Sequence, residues 1–233
     1  MLDSKPVGHA ERGRIRAMLD AARAERDREV RLRQAGARNL AVRWWAESKP
    51  ADPQHPYLLR KGIGVHGART SGGKLLIPMR DEGGELWNLQ TIRFDSDKRF
   101  LAGACIRGLA ARIGEEGDHA RILLCEGWAT GASLHEATGL PTYCAMTANN
   151  VVRVARWLRA KHPASTITIC ADNDAETAKK TGRNTGVEAA RVAAMSIGGR
   201  LAIPPGNGDF NDYSTQLNGA LAPTEDYFRD DRN

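Results

Sequence analysis

Five acidic residues follow apolar segments of the kind that form buried β-strands. They are Glu126 after ILLC, Asp172 and Asp174 after TITICA, and Asp209 and Asp212 after GRLAIPP. In an open parallel sheet, ligands bind outside the carboxyl ends of the strands, so we expect these acids to meet at one edge. Carboxylates held together repel one another, and a divalent cation relieves that repulsion. Oxygen ligands favour Mg²⁺ or Mn²⁺ over zinc, so the acids predict a metal site for phosphoryl chemistry.

The elements that must position these acids alternate between strands and helices from about residue 120. We predict strands at ARILLCEG, PTYCAM, TITICADND and GRLAIPP, and helices at TGASLHEATG, NVVRVARWLRAKH, TGVEAARVAAMSIG and DFNDYSTQL. Such alternation is typical of a parallel sheet covered by helices. Gly127 and Gly131 lie where the first strand passes into its helix. They either let the backbone approach a phosphate or serve a tight turn.

The chain before residue 120 follows other patterns. Residues 1–50 have a helical period, and the first 43 residues hold eleven Lys and Arg against six Asp and Glu. This Arg-rich helix is either a solvated surface or a phosphate-contacting arm. The prolines of KPADPQHP end it. After them, KLLIPMRDEGGELWNLQTIRF predicts two strands joined by a turn at residues 81–84, and RFLAGACIRG a third strand.

Composition excludes several classes of protein. The 233 residues are 41% hydrophobic, and they contain neither an apolar run of about 18 residues nor the apolar core of a signal peptide. A membrane span and secretion are therefore not expected, and we expect a cytoplasmic location. Cys125, Cys144 and Cys170 each lie in an apolar β-like run, which predicts that these three are buried free thiols. The four cysteines contain no Cys-x-x-Cys pair, which excludes a zinc finger. The segment GARTSGGK lacks the Ser or Thr that a Walker ATPase requires after its lysine.

A strand ending in Glu-Gly, a later strand ending in Asp-x-Asp and the frame between them resemble the Toprim domain. DnaG-type primases, type IA and II topoisomerases, OLD-family nucleases and RecR-type repair proteins share that domain. Over about residues 50–215 the chain also resembles plasmid- and phage-encoded primases, through HPYLLRKG, LLIPMRDEGGELWNLQTI, DKRFLAG, EGWATGAS, ADND and DFNDY. The resemblance implies an α/β fold, with a Toprim-like parallel sheet flanked by helices and a smaller N-terminal α+β subdomain.

Four regions follow from these patterns. We predict an Arg-rich helical segment at 1–50, a small α+β primase-like subdomain at 51–115, the Toprim domain at 116–220 and a C-terminal tail at 221–233.

The resemblance also implies roles for individual residues. Glu126, Asp172 and Asp174 match the family's glutamate and Asp-x-Asp pair and would be catalytic; the same three, with Asp209 and Asp212, would hold Mg²⁺ or Mn²⁺. Lys98 and Arg99 match basic residues that face template or nucleotide. By charge and position, we also expect phosphate contacts from Arg60, Lys61, Lys179, Lys180 and Arg183. Ala129 departs from the family, because DnaG-type primases carry an aspartate there.

The function implied by the resemblance is that of a DNA primase catalytic core. Such an enzyme is an Mg-dependent nucleotidyltransferase that makes short primers on single-stranded DNA by two-metal transfer, here in plasmid or phage replication. Its partners would be the template, nucleoside triphosphates and a separate replicative helicase, with no membrane. Two alternatives stay open: a metal-dependent Toprim nuclease, because the same carboxylates support cleavage, and a non-catalytic nucleic-acid-binding module.

Overall fold

The computed structural model describes residues 9–216. Within them the chain forms one long N-terminal helix followed by two five-stranded sheets with their helices. The tail predicted at 221–233 lies outside the described residues.

The N-terminal helix, α1, spans His9–Glu47, in agreement with the helical period of the sequence. Its C-terminal end packs on the first sheet through the buried Ala41, with Trp44 and Trp45 beside it. Residues 11–33 are exposed without interruption. The apolar side chains of Ile15 and Leu19 therefore have no core to face, and each is about half exposed (46% and 51%).

The first sheet is antiparallel, and its strands follow one another in chain order. Its elements are β1 (Lys49–Pro50), α2 (Pro56–Lys61), β2 (Arg69–Ser71), β3 (Lys74–Arg80), β4 (Leu86–Ile92) and β5 (Lys98–Phe100). The predicted hairpin is confirmed by the pairing of β3 with β4. In its turn, Oδ1 of Asp81 accepts hydrogen bonds from the amides of Gly83 and Glu85. The predicted third strand is present but ends at Phe100.

The two faces of this sheet have different neighbours, because successive side chains of a strand point to opposite sides. Leu76 and Leu89 pack toward α1, whereas Leu75 and Ile77 belong to the core shared with the second sheet. The small sheet therefore lies between α1 and the rest of the protein.

The second sheet has the strand order β10-β9-β7-β8-β6. Its strands are β6 (Ala111–Ile113), β7 (Arg121–Cys125), β8 (Thr142–Cys144), β9 (Thr166–Cys170) and β10 (Arg200–Ala202). The last four are the predicted strands, and they pair in parallel, which confirms the α/β class. The edge strand β6 was not predicted. It pairs antiparallel with β8 and comes from the segment assigned to the smaller subdomain.

Helices cover both faces of this sheet. They are α3 (Trp128–Thr138), α4 (Ala148–Lys161), α5 (Ala175–Thr181), α6 (Thr185–Ile197) and α7 (Phe210–Gln216). The helices α4 and α6 cover one face through Val154, Leu158 and Ala193. The helix α3 covers the other together with the small sheet. The short α5, between Asp174 and Gly182, was not predicted.

The prediction for Cys125, Cys144 and Cys170 is confirmed, because all three are buried free thiols; Cys105 is also free and is partly exposed. Among the helices of residues 9–216, none is long and apolar enough to cross a bilayer.

Candidate active site

The carboxyl ends of β7, β9 and β10 lie side by side, because β9 pairs in parallel with both of the other strands. Glu126 directly follows β7, and Asp172 comes two residues after the end of β9. These two side chains face a cleft of about 210 Å³ together with Asp209. The remaining lining residues are Lys61, Gln90, Lys98, Gly127, Trp128, Ala129, Thr130 and Met146.

The loops after β9 and β10 are joined, which brings their acids together. Asn173 and Gly208 exchange two backbone hydrogen bonds of 2.8 Å each. The side-chain amide of Asn173 also donates to the carbonyls of Pro204 and Gly206. On its other side, Oδ1 of Asn173 accepts a 2.9 Å bond from Asn184, at the start of α6. Asn173, the central residue of the Asp-x-Asp motif, therefore fixes the loop that carries Asp209.

Asp209 and Asp212 form the N-terminal cap of α7. Oδ1 of Asp209 accepts hydrogen bonds from the amides of Asn211 and Asp212, and Oδ2 of Asp212 accepts one from the Asp209 amide. This reciprocal arrangement satisfies amides that a helix start leaves unpaired. Asp212 is also 3.4 Å from Nζ of Lys61. Both acids thus have structural partners in addition to their place beside the cleft.

Asp172 lacks such partners. Its Oδ1 atom is buried and makes no hydrogen bond with the described residues. Burial is the main reason why the pKa of Asp172 is raised to about 7, and the neighbouring Asp209, Glu126, Asp174 and Asp212 raise it further. A buried carboxylate surrounded by four others is a costly arrangement unless positive charge enters the cleft.

Glu126 and Asp174 differ in their environments, and both raise the pKa of Asp172. Burial raises the pKa of Glu126, a hydrogen bond from the Ala148 backbone lowers it, and Lys98 lowers it slightly. Asp174 is exposed at the start of α5 and is not part of the cleft lining. Its charge still reaches both Glu126 and Asp172.

Of the predicted basic residues, Lys61 and Lys98 lie in the cleft. Lys98 also stands 5.6 Å from the ring of Tyr57. Lys61 ends α2, and its carbonyl accepts a 2.8 Å hydrogen bond from the Asn211 side chain, which fixes it to α7. These two lysines are the positive charges that face the carboxylates.

The other predicted basic residues lie outside the cleft lining. Arg60 donates to the Phe94 carbonyl and to Ser96. The remaining four are exposed: Arg99 pairs with Asp97, Lys179 with Glu176 and Arg183 with Glu188, while Lys180 follows Lys179 on α5.

Three polar residues at the site lie in motifs that resemble plasmid- and phage-encoded primases, but no role was predicted for them individually. Gln90 lines the cleft from β4, and Thr130 lines it from the first turn of α3. The Tyr57 hydroxyl is buried without a hydrogen-bond partner among the described residues. Burial raises the pKa of Tyr57 to about 12, with a contribution from Asp209. The motif HPYLLRKG contains Tyr57 and could have indicated it.

The donor chemistry of the cleft fits a hard divalent cation. Within residues 9–216, no group of three His, Cys, Asp or Glu side chains is arranged so that it could hold a metal ion. The carboxylates nevertheless add to the rise in the pKa of Asp172, of which burial is the main cause, and they offer oxygen atoms only. The Oδ1 atom of Asp172 has no hydrogen-bond partner among the described residues, and it is an oxygen ligand of the kind that Mg²⁺ prefers.

Comparison with known proteins agrees with this geometry. Residues 121–219 match the Toprim domain family. Two Escherichia coli proteins, both called DNA primase TraC, are 32% identical to the chain over the matched residues. One is matched over 210 residues, which are 86% of this chain and 14% of the relative. The other is matched over 201 residues, which are 84% of this chain and 19% of the relative. The chain therefore spans less than a fifth of the length of these relatives.

Two solved structures share the fold. The primase fragment of the bacteriophage T7 primase-helicase protein has a TM-score of 0.54 and 15% identity, over 74% of this chain and 73% of that one. The DnaG catalytic core has a TM-score of 0.50 and 12% identity, over 80% of this chain and 76% of that one. At such identities these likenesses concern the fold. With the family match and the TraC identity they confirm the expected resemblance: the chain carries a Toprim domain and resembles primases of the DnaG type.

Proposed function

We propose that this chain is the catalytic core of a DNA primase, which makes short primers on single-stranded DNA by metal-dependent nucleotidyl transfer in plasmid or phage replication. The observation that carries the proposal is the single cleft in which Glu126, Asp172 and Asp209 face Lys61 and Lys98. Carboxylates suit divalent cations, and ammonium groups suit phosphates. A site with both suits a nucleoside triphosphate and its metal ions.

The proposed metal ligands are the acids at the strand ends. Glu126, Asp172 and Asp174 would form the first set, and Asp209 and Asp212 would complete it. Toprim primases generally use divalent metal ions. A bound Mg²⁺ or Mn²⁺ would neutralise charge on the triphosphate. Asp172 supports the assignment best, because its Oδ1 has no hydrogen-bond partner among the described residues.

The chain's own groups would bind and orient the reactants. Lys61 and Lys98 would hold phosphate oxygens from the side of the small sheet. Glu126, opposite Lys98, would accept the proton of the attacking 3′-hydroxyl. Gln90 is nearly buried in the cleft wall and would hydrogen-bond the nucleotide. The exposed cations outside the lining would contact the template strand: Arg60, Arg99, Lys179, Lys180 and Arg183.

The partners follow from the same proposal. They are a single-stranded DNA template, nucleoside triphosphates and a separate replicative helicase. The T7 relative is a fragment of a primase-helicase protein, which supports coupling to a helicase.

Primer synthesis tests the proposal. The protein is incubated with single-stranded DNA of mixed sequence, labelled nucleoside triphosphates and Mg²⁺ or Mn²⁺, beside Glu126→Gln and Asp172→Asn. The control is Asp118→Asn, because Asp118 is a fully exposed acid at the opposite side of the sheet from the strand ends. We expect short labelled products that both site variants lose and the control keeps.

Two results would contradict a primase. Metal-dependent shortening of the DNA without new products would indicate a nuclease with the same carboxylates. DNA binding that is indifferent to Mg²⁺ and to both site variants, without products or cleavage, would indicate a binding module.

A further inference from the structure

One stripe of side chains runs along α1 at spacings of three or four residues, which keeps it on one face of the helix. At the C-terminal end its members are Ala37, Ala41 and Trp44, which face the first sheet. Toward the N-terminus the stripe continues beyond the body of the protein. There it consists of Arg12, Arg16, Leu19, Arg23, Arg26, Val30 and Arg33. The same face of α1 is thus apolar where it packs on the first sheet and arginine-rich where it is exposed.

Arg33 marks the point at which the helix leaves the body. A Cβ atom placed on Gly103 would lie 2.9 Å from Cγ of Arg33, so the two residues are in contact. Every residue from 11 to 33 is nonetheless exposed. From Arg12 to Arg33 the helix rises about 31 Å, at 1.5 Å per residue. The projecting part therefore carries a row of arginine positions nearly as long as one turn of DNA, about 34 Å.

The charge on this part of α1 is segregated. The stripe contains five arginines and no acid, while the acids of residues 11–33 lie off it, at Glu11, Asp20, Glu25, Asp27 and Glu29. Within the described residues the stripe's one ion pair is a 3.7 Å contact between Arg23 and Asp20. The arginines are thus available to an anionic partner.

We propose that this Arg stripe, defined as Arg12, Arg16, Arg23, Arg26 and Arg33, is a docking surface for double-stranded DNA. A second copy of the chain would set one row of arginines against another, and like charges make that pairing unfavourable. Arginines on one continuous helix have regular spacings, and these fit a partner whose phosphates are also regularly spaced, as they are in a duplex with a persistence length of about 50 nm. Leu19 and Val30, between the arginines, keep acids out of the row.

The proposed surface is separate from the cleft and adds to the proposed function. The helix α1 packs on the face of the small sheet that carries Leu76 and Leu89, whereas Gln90, next along β4, faces the cleft. No residue of the stripe is among those that line the cleft, and duplex bound along the stripe would lie beyond the small sheet, beside the projecting part of α1.

Two triple variants of the whole chain test the surface. Arg12→Gln with Arg16→Gln and Arg23→Gln removes three charges from the stripe. Arg14→Gln with Arg28→Gln and Arg31→Gln removes three charges from other faces of the same helix segment. Glutamine has nearly the helix propensity of arginine, and circular dichroism checks that α1 persists. Binding to a mixed-sequence 25-base-pair duplex and to one of its single strands is followed by fluorescence anisotropy from 50 to 300 mM salt, in EDTA and without nucleotides.

We expect the stripe variant to lose duplex affinity about tenfold at 100 mM salt and to lower the slope of log Kd against log salt by about two to three. The control variant should change the slope by less than half as much, and single-strand binding should change little. Equal effects of the two triples would overturn the proposal. So would equal losses on duplex and single strand, or a stripe-dependent dimer in sedimentation. Because the assay needs neither metal nor nucleotide, a failure of primer synthesis would leave its result unaffected.

Discussion

The hydroxyl of Thr130 donates a 2.8 Å hydrogen bond to Oδ2 of Asp209, which lies 79 residues later in the chain. Thr130 belongs to the first turn of α3, and Asp209 caps α7. The bond therefore joins the starts of two helices that border the cleft. Since Oδ1 of Asp209 already accepts two backbone amides, Thr130 is what fixes the second oxygen of this carboxylate.

We predict that Thr130→Val lowers primer synthesis several-fold. Valine has nearly the shape of threonine but no hydroxyl, so Oδ2 of Asp209 loses its partner and the carboxylate can turn. The free energy of unfolding should fall by about 1–2 kcal/mol, the cost of a partly buried acceptor left without a donor. Primer yield and urea denaturation measure the two effects.

Thr130→Ser is the matched control, since it keeps the hydroxyl and should retain most of the activity. Equal activities for the valine and serine variants would show that this hydrogen bond does not position Asp209 for the reaction.

Gly131 sets how closely α3 approaches the second sheet. A Cβ atom there would lie 2.3 Å from Sγ of Cys144 and 3.2 Å from Sγ of Cys125, both of which are buried. We predict that Gly131→Ala reduces the free energy of unfolding by about 1–3 kcal/mol, as overpacking of a core does. Urea denaturation measures the loss.

Two further variants distinguish overpacking from a general effect of alanine. Gly131→Ala combined with Cys144→Ala should recover much of the stability, because the nearest clashing atom is gone. Gly36→Ala, in a helix with no atom within 4 Å of the new Cβ, should instead stabilise α1 by up to about 1 kcal/mol. A double variant no more stable than Gly131→Ala alone would contradict this account.

The sequence predicted the acids and the strands better than it predicted the basic side of the cleft. Acids at the ends of parallel strands must share an edge, so the apolar runs alone placed Glu126 and Asp172 together. Lys98 and Arg99 are neighbours on a three-residue strand, and their side chains point to opposite sides. Only the pairing of β5 with β4 decides that Lys98 faces the cleft.

The missed elements share a physical cause. The strand β6 has three residues, and the helix α5 has seven. The segment of β6, ARI, is interrupted by an arginine, and that of α5, AETAKKT, has no large apolar residue, so neither shows a hydrophobic period. They are held by their neighbours: β6 by β8, and α5 in part by the Glu176 amide, which donates to Asn207. Thr130 and Gln90 were missed for a similar reason, because their role comes from distant residues brought beside them by the fold.

Tyr57 offers a test that separates function from stability. Its hydroxyl is buried without a partner in residues 9–216 and lies near Lys61 and Asp209. Tyr57→Phe removes an unsatisfied polar group, so we predict unchanged or slightly greater stability, by up to about 1 kcal/mol. If the hydroxyl serves the reactants, primer synthesis falls several-fold at the same time. Thermal unfolding and primer yield measure the two effects.

Tyr143→Phe is the matched control for this pair of effects. Tyr143 is buried against Trp157, away from the cleft lining, and interacts with Arg112. Its variant should lose stability and keep activity. If Tyr57→Phe behaves like Tyr143→Phe, the Tyr57 hydroxyl has a structural role only.

His162 should make the stability of the protein depend on pH. Its side chain is 5% exposed, both ring nitrogens lack hydrogen-bond partners among the described residues, and Oδ1 of Asp118 is 3.9 Å from Nδ1. Burial, with help from Lys161, lowers the pKa of His162 below 6.5, its value in the unfolded chain, despite the opposing effect of Asp118. Between the two values the unfolded state binds more protons. His162 therefore contributes stability above pH 6.5 that is lost as pH falls through its folded pKa.

Urea denaturation at pH 8, 7, 6 and 5 measures this contribution against His162→Leu, which cannot take up a proton. The variant should differ from the wild-type protein at every pH because the cavity changes. The informative quantity is the fall in the free energy of unfolding from pH 7 to pH 5, which we predict to be larger for the wild-type protein. Parallel profiles would mean that protonated His162 is accommodated in the folded state, with Asp118 as its counter-ion, and that acid sensitivity must come from other groups.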